Sequence, residues 1–151
     1  MSTTPRTGAL AEFIAGFDAD ALPGDVRARI LELVLDGSGC LLAAANPAFS
    51  TGRLIAAFVR DQGGTPEASI VGNGLRTGCV HAALANGTMG YACDFEPHHP
   101  AAILHPVAVM IPTALALGER VGARGDQFLA AVALGCEVEY RVSSALGPAE
   151  Q

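Results

Sequence analysis

The run 101-AAILHPVAVMIPTALALG-118 carries no Asp, Glu, Lys or Arg and is apolar over almost its whole length. Such a stretch reads either as a membrane span or as the central helix of a buried core, and the two lead to different proteins. His105, Pro106 and Pro112 interrupt it, and no run of basic or aromatic anchors flanks it to hold a span at a bilayer surface. It is therefore expected to be a buried core helix. Proline suits a first turn, where its missing N–H would have no partner anyway, so the helix is placed from about Pro106 to Val121, with 122-GARGD-126 turning the chain.

Helical spacing continues on both sides. Leu10, Phe13, Ile14 and Phe17 mark one side of a short amphipathic helix over 8–17. The segment 22-LPGDVRARILELVLDGSGCLLAAAN-46 opens on a proline turn and repeats Val26, Ile30, Leu33, Val34 and Leu41 at helical intervals. Gly37 and Gly39 lie inside it, each costing about 1 kcal/mol against alanine, which points to a close helix contact or a bend. Leu54, Ile55, Phe58 and Val59 mark a third helix, closed by 62-QGGTPE-67. One stretch, 68-ASIVG-72, reads as strand. Residues 77–92 return to helix along an alanine-rich face. The last helix, near 126–146, carries Phe128, Val132 and Cys136, with Glu137 and Arg141 spaced for an i,i+4 pair. Five to six helices and almost no strand make the class all-α, with 1–151 as a single helical domain.

Composition removes several functional classes. Half of the residues are hydrophobic and 16% are charged, so a packed core is affordable and global disorder is excluded. Net charge is −6, with nine arginines, no lysine and no basic run, which argues against nucleic-acid or anionic-membrane partners. Without lysine, Schiff-base chemistry within this chain is ruled out. Cys40, Cys79, Cys93 and Cys136 form no CxxC pair, so they are expected to be buried free thiols of a reducing compartment. The N-terminal residues reach Glu12 before any apolar stretch is long enough for a secretory signal, and the expected location is cytoplasmic.

Two segments compete to carry chemistry. The glycines of 72-GNGLRTG-78 have GxGxxxG rather than GxGxxG spacing and no βαβ pattern around them, so they are expected to form a turn between helices. The richer segment is 94-DFEPHHPAAILHP-106, which gathers two acids, three histidines and three prolines. A metal site, an acid/base site and an inert polar loop are the three readings. Neighbouring histidines tend to point apart, and HExxH or HxH geometry is missing, so no metal is expected. An imidazole exchanges protons near neutral pH, and a carboxylate can orient it. His105 precedes a helix N-terminus, which favours bound anions, and Asp94 closes the preceding helix.

The segment 84-LANGTMGYACDFEPHHPAAILHPVAVMIPTALALGE-119 resembles the MmgE/PrpD family, which includes 2-methylcitrate dehydratase, cis-aconitate decarboxylase and an iminodisuccinate epimerase. Ala83 and Asn86-Gly87-Thr88 match the start of its motif, Asp94-Phe95 its aspartate–aromatic pair, and His105-Pro106 its helix-opening pair. Residues 22–44 and 131-AVALGCEVEYRV-142 are similar to two further helices, so the likeness covers about 8–146. It implies the N-terminal helical domain of a cofactor-independent lyase or isomerase. Such enzymes move a proton α to a carboxylate of a small polycarboxylate, and the family suggests a homodimer.

Carried over residue by residue, Asp94 and His105 are expected to be catalytic, and His98 and His99 to contact substrate. Glu96 stands where the family has a second acid, Pro97 where it has a third, His98 at a small-hydroxyl position, and Tyr91 at a frequent histidine. Family chains are several times longer, with a second domain supplying cations. The alternative expectation is a non-catalytic helical fragment or dimerisation module.

Overall fold

The computed structural model describes residues 5–146. Six helices run in order: α1 Arg6–Ala15, α2 Gly24–Ala44, α3 Ser50–Gln62, α4 Cys79–Tyr91, α5 Pro106–Val121 and α6 Gly125–Ala145. Between α3 and α4 lies a hairpin of β1 Ala68–Ile70 and β2 Leu75–Thr77. The all-α reading holds for the architecture, with this small sheet as its exception.

Helix α5 is the core helix its sequence predicts. It starts at Pro106, buries Val107, Ala108, Ile111, Pro112 and Ala116, and ends at Gly122 in the left-handed conformation. Among the described residues no helix is long and apolar enough to cross a membrane. Its most extensive neighbours are α4 and α6, and α2 crosses it as well. Leu41, Met89, Val107, Ile111, Val132 and Cys136 meet in one cluster at the centre. At this crossing a Cβ on Gly90 would find ordinary van der Waals contact with Leu41 and Ala108, so the packing leaves room for one methyl there.

Buried Asn86 ties α4 to the hairpin. Its Oδ1 accepts from the Val71 N–H at 2.9 Å, and its Nδ2 donates to the Ser69 carbonyl at 2.9 Å. Ser69 is the middle residue of β1 and Val71 follows it, and the two-stranded sheet has no further strand to take up these groups. From α5, Glu119 accepts from the Ser69 N–H and hydroxyl and from Arg76, fastening the hairpin to a second helix.

Three sequence expectations need correction. Residues 72–78 are not merely a turn between helices: Leu75–Thr77 pairs antiparallel with Ala68–Ile70, with Ile70 opposite Leu75. Gly72 and Gly74 take positive φ in the connection, a turn geometry that glycine supplies without strain. Helix α1 forms as expected but buries no residue; Phe13 instead lies under the Arg141 guanidinium, 5.0 Å from its centroid. The thiols are all free, yet only Cys40 and Cys136 are buried, while Cys79 and Cys93 are half-exposed. Burial pushes the Cys136 thiol up to about 11 and raises Cys40 as well, so both are poor nucleophiles.

Of the two glycines inside α2, Gly37 marks a close contact and Gly39 does not. A Cβ on Gly37 would stand 2.5 Å from Val107 Cγ1 and 2.7 Å from Ile111 Cδ1, whereas one on Gly39 would meet open space. A Cβ on Gly52 of α3 would press on the Ala44 carbonyl, which is backbone and cannot rotate away. Gly52→Ala is therefore expected to cost about 1–3 kcal/mol by overpacking. Gly37→Ala should cost less, because side-chain tips can yield where the Ala44 carbonyl cannot. Gly39→Ala should stabilise by about 0.5–1 kcal/mol. Thermal melts give the order; a Gly52→Ala protein melting with the wild type would refute the packing argument. Asn86→Ala, which orphans two part-buried backbone groups, should cost about 1–3 kcal/mol in a denaturant titration.

Candidate active site

The segment between α4 and α5 is irregular but held. The His99 N–H donates to the Leu104 carbonyl at 2.9 Å, and the Ile103 N–H returns to the His99 carbonyl at 2.8 Å. The Ser143 hydroxyl of α6 donates to the Ala102 carbonyl, pinning the turn from the far side. Proline prevents a helix here, and these bonds supply the order that a helix would otherwise give.

Asp94 follows the last turn of α4, with its N–H donating to the Tyr91 carbonyl at 3.1 Å and its φ at 48°. Aspartate tolerates this left-handed conformation better than most residues, and the reversal it makes turns the loop back over α5. Two residues on, Glu96 is carried inward until its side chain is 1% exposed. One of its oxygens accepts from the Phe95 N–H at 3.1 Å. The other, Oε1, stands 3.1 Å from His105 Nδ1. The distance is that of an ion pair, but the direction is not that of a hydrogen bond, and neither atom has another partner among the described residues. A buried carboxylate oxygen left without a donor is costly, and the imidazole Nδ1 is the donor within reach.

His105 caps α5 immediately before Pro106. Tyr91 meets its ring edge-on at 5.6 Å between centroids, and His98 lies tilted at the same separation. The side chain is one-third exposed although Nδ1 is buried, so the part reaching solvent is the opposite edge, with Nε2. One oxygen each from Asp94 and Glu96 and one His105 nitrogen lie within 4.8 Å of one another. The two residues expected to share a site are thus together. Two oxygens and one nitrogen could also be offered to a cation, although Asp94 is exposed and the set is one donor short of a closed tetrahedral site.

His98, beside His105, and His99 both face another cavity, of about 450 Å³ between α2 and α6, which Arg29 and Tyr140 also line. His99 stacks on Tyr140 at 4.4 Å, and its Nδ1 accepts from the Ala102 N–H at 3.0 Å, which puts the proton of the neutral ring on Nε2. His105 instead borders two other hollows, one of about 350 Å³ against α6 and one of about 480 Å³ against α4. Arg29, a cation beside the two loop histidines, escapes a reading of the loop alone because it comes from α2.

Glu96 is the functional candidate that sequence reasoning missed. Its signal was present in the alternation of 94-DFE-96, two acids either side of one aromatic, but only burial distinguishes it from a solvated loop acid.

The MmgE/PrpD N-terminal domain model matches residues 8–151. The chain is 30% identical over 148 residues to the cis-aconitate decarboxylase-like protein oryM of Aspergillus oryzae, covering 93% of this chain and 30% of that protein. It is 27% identical over 146 residues to cis-aconitate decarboxylase of Aspergillus terreus, covering 93% of this chain and 29% of the relative. The chain therefore spans a little under one third of the length of the curated relatives it matches. With its helical order, its Asp94–His105 convergence and a domain match over nearly its whole length, the chain belongs to the MmgE/PrpD family.

Proposed function

We propose that this chain supplies the proton-transfer wall of a lyase site for a small polycarboxylate, with decarboxylation of a cis-aconitate-like acid as the leading reaction. The observation that carries the reading is the buried Glu96 carboxylate at 3.1 Å from His105 Nδ1, with Asp94 alongside. A carboxylate on Nδ1 orients the imidazole and stabilises its protonated form, leaving Nε2 for the substrate. The first N–H groups of α5 lie beside it and favour an anionic ligand.

In a decarboxylation, the bond from carbon to the departing carboxylate breaks and CO₂ leaves. The electron pair stays on the substrate carbon, delocalised towards the neighbouring unsaturation. His105 Nε2 delivers a proton to that skeleton, and the neutral imidazole recovers one from solvent, with Asp94 at the exposed side to pass it. One proton is consumed for each CO₂ released. Dehydration or epimerisation would use the same pair in the opposite first step, with Nε2 taking the proton α to a carboxylate.

Several substrate carboxylates need compensating cations, because unpaired charge is expensive to bury. The chain has no lysine, and Arg29 lines a neighbouring cavity. The remaining cations are assigned to polypeptide corresponding to the other two thirds of the relatives. Co-expressed or fused with that polypeptide, the chain should turn over cis-aconitate. His105→Ala should then lower turnover by about 10²–10⁴-fold. Glu96→Gln should lower it by roughly 10²-fold with little effect on substrate affinity. Undiminished turnover in His105→Ala would remove that residue from the mechanism.

A packing or dimerisation module is the second reading, favoured by the apolar outer face of α2. Leu31, Leu35 and Leu42 lie on one side of that helix, and Leu35 is 76% exposed. A second copy of the chain is the proposed occupant. Sedimentation should give a dimer that Leu35→Glu dissociates; a wild-type monomer at high concentration would dismiss this reading.

A further inference from the structure

Glu139 on α6 is a carboxyl group that the proposed mechanism does not use. On this helix Glu137 and Arg141, four residues apart, pair with each other at the surface. Glu139, between them, turns the other way. It lines the hollow of about 350 Å³ that His105 borders, whose other walls include Leu104, Val109, Val138 and Val142. Its Oε2 is buried and has no hydrogen-bond partner among the described residues. Buried polar atoms are almost always paired, so an orphan on a residue that lines a cavity marks a place where a partner is wanting.

The surroundings favour the neutral acid. Burial raises the Glu139 carboxyl above the ordinary glutamate range, and no cation figures among the causes. His105 borders the same hollow from the start of α5, while Cys136 and Tyr140, which line the larger cavity, feel the Glu139 charge along α6. Both of those neighbours are themselves raised, with burial as the main cause. In an apolar hollow the alternative, a bare carboxylate, would repel an anionic substrate. A carboxylic acid instead offers an O–H, as environments that separate two carboxyl groups allow in other acid/base sites.

We propose that Glu139 is a further substrate-binding residue of the His105 site, donating a hydrogen bond from its protonated carboxyl to a carboxylate of the substrate. This rests on the proton-transfer reading above and extends it to the α6 wall. Glu96 and Glu139 then have opposite tasks: one is a buried acceptor behind the imidazole, the other a donor across the cavity. The donor compensates substrate charge on a wall where the chain places no lysine.

The sign of the pH dependence follows. A carboxyl whose folded value is raised binds its proton more tightly in the folded state. Its contribution is present below the unfolded value of about 4.3 and is lost as pH rises through the folded value. Substrate binding that needs the O–H should fade over the same interval.

The test uses the assembled protein of the preceding section with cis-aconitate as the probe. Binding is followed by the NMR shift of the His105 ring from below the ordinary glutamate range up to neutral pH. The probe's own carboxyls titrate alike in every variant, so the comparison isolates Glu139. Wild-type affinity should fall relative to Glu139→Gln as pH rises, because the amide keeps a donor that cannot ionise. Glu139→Leu, which keeps the bulk and loses the donor, should bind about tenfold or more weakly at low pH. Parallel pH profiles for wild type and Glu139→Gln, or undiminished binding by a folded Glu139→Leu, would overturn the role of Glu139 alone. A probe that never perturbs His105 would overturn the proton-transfer reading and this inference together.

Discussion

A carboxylate taken out of water needs a partner, and Glu96 has the Phe95 N–H on one oxygen and the His105 imidazole beside the other. That requirement organises the whole segment between α4 and α5. The reversal at Asp94 brings Glu96 inward, the turn from His99 to Leu104 closes the loop, and Pro106 starts α5 so that His105 sits at its mouth. Ser143 of α6 then holds the turn against the bundle. Without the carboxylate beneath it, the imidazole would have no reason to keep one nitrogen buried and the opposite edge open.

The rest of the fold is a support for that loop. Close packing of α4 on α5 brings its two ends within reach of each other, and small residues at the crossing permit the approach. Asn86 and Glu119 lock the hairpin to those two helices, so the scaffold is cross-linked by polar contacts as well as by apolar burial. Such cross-links matter in a chain whose outer surfaces retain many apolar side chains, Leu35, Phe95 and Val80 among them.

Much of this was legible in the residues, for stated reasons. Proline at the first turn and a left-handed glycine at the end give α5 boundaries that periodicity alone would leave vague. The second strand was hidden because Leu-Arg-Thr is too short to show alternation and lies among glycines; only pairing with Ala68–Ile70 makes it a strand. Helix α1 has the spacing of a packed helix, yet nothing in its own sequence says what its apolar side meets, and here it meets little. At the site, the places of Asp94 and His105 at two helix ends permitted their meeting, and the family resemblance was what implied it. The burial of Glu96, the turning of His99 onto Tyr140 and the place of Glu139 in a hollow that His105 borders all depend on which way a side chain leaves its backbone. Tertiary packing sets those directions, and spacing does not record them.

The most direct test of the central claim is the protonation pattern of the His105 ring, read by ¹⁵N-resolved NMR in the neutral state. The account predicts a proton on Nδ1, directed at Glu96, and its transfer to Nε2 or rapid loss to exchange in Glu96→Gln. A ring carrying its proton on Nε2 in the wild type, indifferent to Glu96→Gln, would contradict it.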